Sequence, residues 1–139
     1  MAETAASARL SRWLKLWAPT FAVGGAAFYL LPGAVTASLN RQARMVGLEE
    51  SPPDADNLWV VLAGAYMALI TAISARAAAD PVARQDLVRL LILGKTASSL
   101  GALGYFLFRR RAFAFLANFA VDGAIAGVTW ALLEDARRP

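Results

Sequence analysis

The stretch that decides the fold runs from Leu87 to Leu133 and reads LVRLLILGKTASSLGALGYFLFRRRAFAFLANFAVDGAIAGVTWALL. It consists of two long apolar segments joined by three consecutive arginines at 109–111. Lys95 lies inside the first segment, and Asp122 lies near the midpoint of the second. An ionisable side chain in so apolar a segment is costly in lipid, and it usually faces the bundle interior and pairs with another group. We therefore expect Lys95 and Asp122 to be the most informative residues of the chain.

The composition predicts a membrane protein. Of the 139 residues, 58 % are hydrophobic and 17 % are charged, against roughly 45–50 % and about 25 % in soluble domains. The hydrophobic residues are concentrated in four blocks, at about 12–31, 58–75, 87–108 and 112–133. At about 1.5 Å per residue, such blocks suit a hydrocarbon core of about 30 Å. The sequence predicts one all-α domain, a four-helix transmembrane bundle.

The first block begins with Trp13 and Trp17, as expected for an interfacial aromatic belt. Its basic lead, its apolar run and the tripeptide 35–37 also fit a secretory signal peptide. However, the run is long for a signal core and ends at Pro32-Gly33, which favours an uncleaved span.

A short amphipathic helix is expected after this first block. Apolar residues recur at helical spacing from Val35 to Val46, and Asn40, Arg41 and Arg44 occupy the opposite face. Such a pattern is typical of a helix lying at the membrane surface. The alternative is that these residues are only the end of the first span.

The segments that connect the apolar blocks predict a loop and the start of a helix. Residues 47–57 form the longest polar segment, and its acidic residues have no evident basic partner, which indicates a solvated loop. Asp80-Pro81 reads as a helix cap followed by proline at the first helical position, so the third helix is expected to begin there.

Several chemistries are excluded or disfavoured. The chain has no cysteine and no histidine, which removes disulfides, thiolate zinc sites and Cys or His nucleophile pairs. No phosphate-binding glycine loop, serine-hydrolase motif or metal-binding cluster is evident. The net charge of +4 comes from basic residues at the ends of apolar blocks, where they anchor spans. We expect no nucleic-acid partner, no metal and no cofactor.

An antiparallel hairpin around the 109–111 turn brings several polar residues to similar depths. Asp122 lies level with Ser98, and Lys95 is one helical turn away, within reach of a lysine side chain. The helical spacing adds Ser99 and Asn118 to the same faces. A further hydroxyl near mid-depth in the second span, that of Tyr66, needs a partner and could join them.

Two interpretations of this polar group remain open. In the structural one, the Lys95/Asp122 pair holds the helices together through hydrogen bonds of about 1 kcal/mol each. In the functional one, it lines a ligand or ion pathway, the default hypothesis for intramembrane charges. Tyr66 equally fits an ordinary core tyrosine.

Small residues predict close helix packing. Gly123 and Gly127 have the GxxxG spacing, and Gly94 and Gly101 lie in a stripe of small residues on the third helix. Such positions let backbones approach, within the bundle or between two copies.

The layout resembles the small four-helix bacterial membrane proteins of the DoxX-like kind. The resemblance rests on a first span ending at Leu31-Pro32-Gly33, an amphipathic stretch after it and three further compact spans. It implies a bacterial inner-membrane protein, often an accessory partner of a larger system, and it implies no functional residue.

For function, we predict a non-enzymatic multi-pass membrane protein, either an accessory subunit or a binder of a small lipophilic ligand, with a polar pocket around Lys95 and Asp122. Its partners are then the lipid bilayer and another membrane protein or a second copy. The alternative is a small transporter or proton-coupled carrier that uses the same pair, and a third hypothesis is an intramembrane enzyme with Lys95 as base or nucleophile.

Basic residues predict the orientation. With four spans both termini lie on one side, and that side holds the larger number of basic residues, which favours cytoplasmic termini. The eight on that side are Arg9, Arg12, Lys15, Arg76, Arg84, Arg89, Arg137 and Arg138, and the five on the other are Arg41, Arg44, Arg109, Arg110 and Arg111.

Overall fold

The computed structural model describes residues 5–52 and 58–138, with the backbone alone for 58–60. The described chain forms five helices and no strand beyond an isolated bridge between Glu49 and Ala112. The helices are α1 (Ala5–Leu30), α2 (Pro32–Val46), α3 (Leu58–Ala79), α4 (Gln85–Phe108) and α5 (Phe113–Arg137). The prediction of an all-α fold is confirmed.

The four long helices pack around a shared core. Helix α1 lies along α3 and α4 lies along α5, and the two pairs meet through contacts of α1 with α5 and of α3 with α4. Fully buried apolar side chains from all four helices fill the centre, among them Leu14, Ile70, Leu91 and Leu133. Many large apolar side chains remain exposed on the outer faces. This arrangement is what a bundle surrounded by lipid requires.

Three of the described helices are long and apolar enough to cross a membrane: residues 61–79 of α3, all of α4 and all of α5. Helix α1 meets this criterion of length and apolarity only when it is taken together with α2, from which it is bent by 105°. Its first three turns carry Arg9, Arg12 and Lys15, which lower the hydropathy of its N-terminal half.

Helix α1 begins at Ala5, ahead of the first apolar block. The start of α4 differs from the predicted one. Asp80 accepts a hydrogen bond from the Ala83 amide at 3.0 Å, as a capping residue does. However, residues 81–84 form turns and α4 begins only at Gln85, so the prediction that the helix starts at Pro81 is wrong.

The expectation that the acidic loop has no basic partners is wrong for Glu49 and Glu50, although both side chains are exposed to solvent as expected. The Glu49 carboxylate accepts a hydrogen bond from Arg110 Nε at 2.8 Å, and the Glu50 carboxylate pairs with Arg44 at 3.0 Å. Backbone bonds also join Glu49 to Arg111 and Phe113. The turn between α4 and α5 therefore holds the end of the α2 segment, a long-range contact that sequence spacing does not reveal. The acidic residues Asp54 and Asp56 lie outside the described residues.

Helices α1 and α3 approach closely at a glycine. A Cβ atom on Gly25 would lie 2.9 Å from Cβ of Met67, a distance that real Cβ atoms essentially never show. Because Met67 Cβ is fixed by the α3 backbone, a larger residue at position 25 must separate the two helices.

We predict that Gly25→Leu lowers the free energy of unfolding in mixed dodecyl sulfate micelles by about 1–3 kcal/mol, the usual cost of overpacking. The matched control is Gly101→Leu, because a Cβ at this helical position meets nothing within 4 Å. Both changes gain similar helix propensity. Equal stability of the two variants would contradict the packing of α1 on α3.

Candidate functional site

An ion pair lies buried at the centre of the bundle. Lys95 Nζ of α4 donates a hydrogen bond of 2.8 Å to Asp122 Oδ1 of α5. Only 2 % of Lys95 and 5 % of Asp122 is exposed. Taking either charge from water into this environment alone would cost several kcal/mol, and the direct pairing offsets that cost.

Aromatic rings from the other two long helices enclose the ammonium group. Lys95 Nζ lies 4.5 Å from the ring centroid of Phe21 on α1 and 5.5 Å from that of Tyr66 on α3. Both distances are within the range of cation–π attraction. All four long helices therefore contribute a side chain to the surroundings of one charge.

Two further polar contacts join α4 to α5 near the ion pair. Ser99 Oγ donates to the Phe119 carbonyl at 2.8 Å, and Asn118 Nδ2 donates to Ser98 Oγ at 3.0 Å. Ser99 is buried, whereas Asn118 is exposed on the outer side. The structure thus places these residues at the predicted depths, but Ser98 and Asn118 form a separate bridge and not part of the buried pair.

Tyr66 lies beside the ion pair without a hydrogen bond to it. Its hydroxyl is buried and has no hydrogen-bond partner among the described residues. The same hydroxyl would lie 3.2 Å from a Cβ on Gly94, so this glycine makes room for it. Tyr66 therefore packs against the site through its ring.

The four glycines predicted to pack fall into two groups. A Cβ on Gly123 would lie 2.9 Å from Ser99 Oγ, and Gly94 is close to Tyr66, so both lie at helix contacts. A Cβ on Gly101 or Gly127 would meet nothing within 4 Å among the described residues. The predicted close packing is therefore not made at these two glycines within the described part of the chain.

Sequence reasoning missed the contribution of α1. Trp13 and Trp17, predicted to form an interfacial belt, are half-buried and pack against the core. Trp13 Nε1 donates to Thr129 Oγ1 on α5 at 2.9 Å, and the ring of Trp17 stacks on Phe21 with centroids 5.3 Å apart. The signal was present, because residues 13, 17 and 21 recur at a spacing of four and share one helix face.

The site is closed rather than open. Two grooves run along the outer side of α4 and α5, and neither has Lys95 or Asp122 in its wall. In the described part of the chain no group of three acidic side chains is arranged to hold a metal ion. The geometry fits a structural crosslink between helices better than a chemical centre.

No family model, curated protein or solved structure matches this chain. The resemblance to DoxX-like proteins therefore stays a prediction.

The ion pair predicts a characteristic pattern of stabilities. Lys95→Met or Asp122→Leu alone leaves one buried charge unpaired, and we expect a loss of about 3–5 kcal/mol in the free energy of unfolding. The double variant replaces both charges by apolar groups of similar shape, and we expect it to lie within about 1 kcal/mol of the wild type. A double-mutant cycle in lipid–detergent micelles measures the coupling. Additive losses would show that the two residues do not stabilise each other.

Proposed function

We propose that this protein is a non-enzymatic multi-pass membrane protein, an accessory subunit or a binder of a small lipophilic ligand, whose interior is locked by the Lys95–Asp122 pair. The observation that carries the proposal is the closure of that pair. Its two charges satisfy each other, aromatic rings cover the ammonium group, and the outer grooves do not reach either residue.

The proposal includes α1 as a fourth span. Helix α1 places Phe21 on the buried Lys95 and lies along α3, which is itself apolar enough to cross a membrane. A helix in contact with the centre of a bundle shares its depth. The basic residues at 9, 12 and 15 then stand at the headgroups, where long cationic side chains are favourable.

The membrane is proposed to be a bacterial inner membrane, with the termini on the cytoplasmic side. The larger number of basic residues on the side of the termini supports this orientation. The DoxX-like layout supports the bacterial assignment and the accessory role.

A small transporter or proton-coupled carrier is the second candidate. The observation that favours it is the Tyr66 hydroxyl, which is buried beside the ion pair and lacks a hydrogen-bond partner among the described residues. A group of this kind next to two charges can belong to a proton path. Such a path would have to open from the closed arrangement toward water.

We predict opposite sides of the membrane for reporters fused to the N-terminus and placed after residue 50, because α1 crosses the bilayer between them. Reporters at the two termini should lie on the same side. The reporters placed after residue 50 and at the C-terminus serve as the internal control, because α3, α4 and α5, which are each long and apolar enough to cross a membrane, lie between them. An N-terminal reporter on the same side as residue 50 would show that α1 does not cross.

The role of the ion pair is tested with the Lys95→Met/Asp122→Leu double variant. We expect the wild type, extracted with its native lipids, to carry a bound lipophilic molecule or a second protein, visible by native mass spectrometry. The double variant should retain the same adduct, because the pair only holds helices. An adduct that only the double variant loses would place the binding site at the charges.

Proton flux distinguishes the second candidate. Proton flux is measured in proteoliposomes with a pH-sensitive dye. If the protein has the accessory role, proteoliposomes with the wild type or the double variant should show the same proton flux as protein-free liposomes. Flux above that level in the wild type, abolished in a folded double variant, would contradict the proposal and support the carrier.

A further inference from the structure

The outer side of the α4–α5 pair carries an apolar groove with a volume of about 480 Å³. Gly123 and Gly127 lie along it, and nothing occupies the space beside Gly127 within 4 Å of an added Cβ. Leu100 and Trp130 stand beside them and are 60 % and 59 % exposed. A groove lined with glycine and flanked by large apolar side chains can accept a flexible hydrocarbon chain.

At one end the groove changes from apolar to basic. A second groove of about 380 Å³ shares Thr96 and Trp130 with the first and ends at Arg89 and Arg137. Arg89 is exposed and pairs with no carboxylate among the described residues. Arg137 donates to Glu134 at 2.8 Å, and Glu134 also lines this end. Two guanidinium groups and one carboxylate leave a net positive charge, which suits a phosphate.

The length of the groove fits one acyl chain. It follows α4 from Arg89 to Leu100, which at 1.5 Å per residue is about 16 Å. This is about half of a hydrocarbon core of about 30 Å. An acyl chain whose headgroup lies at the surface occupies one leaflet, so the groove has the length of a single chain. Trp130 also stands on the side of the basic end, as tryptophans near an interface do.

We propose that an anionic phospholipid binds here, with its phosphate on Arg89 and Arg137 and one acyl chain along Gly123 and Gly127. The site rests on the proposed function only in treating α4 and α5 as membrane spans, and it does not involve Lys95 or Asp122. Basic sites between transmembrane helices commonly hold such headgroups. At this site the lipid is a specific ligand rather than part of the surrounding bilayer.

The experiment uses Trp130 as the reporter. The full-length protein is placed in phosphatidylcholine bilayers that contain increasing amounts of phosphatidylglycerol with brominated acyl chains, which quench tryptophan fluorescence. The part of the quenching that Trp130→Phe removes reports on the groove. The same titration with brominated phosphatidylcholine gives the preference for the anionic lipid.

We expect a clear preference for phosphatidylglycerol in the wild type. Arg89→Gln should lower this preference about fivefold, which corresponds to about 1 kcal/mol per arginine at a membrane surface. Arg111→Gln, at the opposite end of α4 and α5, is the matched control and should leave the preference unchanged. Gly127→Leu should fill the groove and remove the Trp130 quenching, whereas Gly101→Leu should not.

Four outcomes would overturn the proposal. Equal quenching by both lipids would show that the basic end selects no headgroup. An equal effect of Arg89→Gln and Arg111→Gln would show attraction to the surface in general, and full competition by inorganic phosphate would show a site without an acyl chain. A wild-type Trp130 shielded from both lipids, with cross-linked dimers, would place a second copy in the groove. None of these results concerns the Lys95 and Asp122 variants, so those variants test the proposed function independently of the lipid site.

Discussion

The burial of Lys95 is the constraint on which the rest of the structure depends. Lys95 is only 2 % exposed, so its ammonium group needs an opposite charge within hydrogen-bond reach, and Asp122 on the next helix supplies it at 2.8 Å. This requirement determines how far α4 and α5 slide along each other. It also determines which face each helix turns inward. The contacts of Ser99 with Phe119 and of Asn118 with Ser98 then follow at neighbouring levels.

The same charge ties the two helix pairs together. Phe21 and Tyr66 come from the α1–α3 pair and place their rings over the ammonium group. In lipid, apolar surfaces gain little by associating with each other, so specific polar and aromatic contacts determine which helices meet. Trp13 extends this effect by donating to Thr129 on α5. The buried charge is therefore satisfied by groups of the bundle itself, whereas the Tyr66 hydroxyl beside it has no hydrogen-bond partner among the described residues.

Contacts at both ends of the bundle support the centre. At one end Arg110 bonds both Glu49 and the Glu50 carbonyl, which attaches the segment after α2 to the α4–α5 turn. At the other end the exposed pair of Arg9 and Asp135 joins α1 to α5 at 3.2 Å. Exposed pairs of this kind contribute at most about 1 kcal/mol each. They select the arrangement of the ends more than they stabilise the fold.

By itself the sequence determined the helical class, the apolar segments and the depth of the polar residues along the third and fourth blocks. These properties depend on local hydropathy, on helical rise and on a short connection, all of which can be read along the chain. The Lys95–Asp122 contact was predictable for the same reason, because a hairpin with a three-arginine turn leaves little freedom of register.

Only the tertiary structure decided which faces of α1 and α3 meet that hairpin. Helix α3 has little hydrophobic asymmetry and therefore carries no strong signal of its inward side. On α1 the sequence shows an aromatic face but not which helix it meets, so the contact of Phe21 with Lys95 and the bond from Trp13 to Thr129 were missed. The pairing of Glu49 with Arg110 joins residues distant in sequence and could not be read from spacing. The open space beside Gly127 also required the packed structure, because the GxxxG pattern looks the same whether or not a helix lies against it.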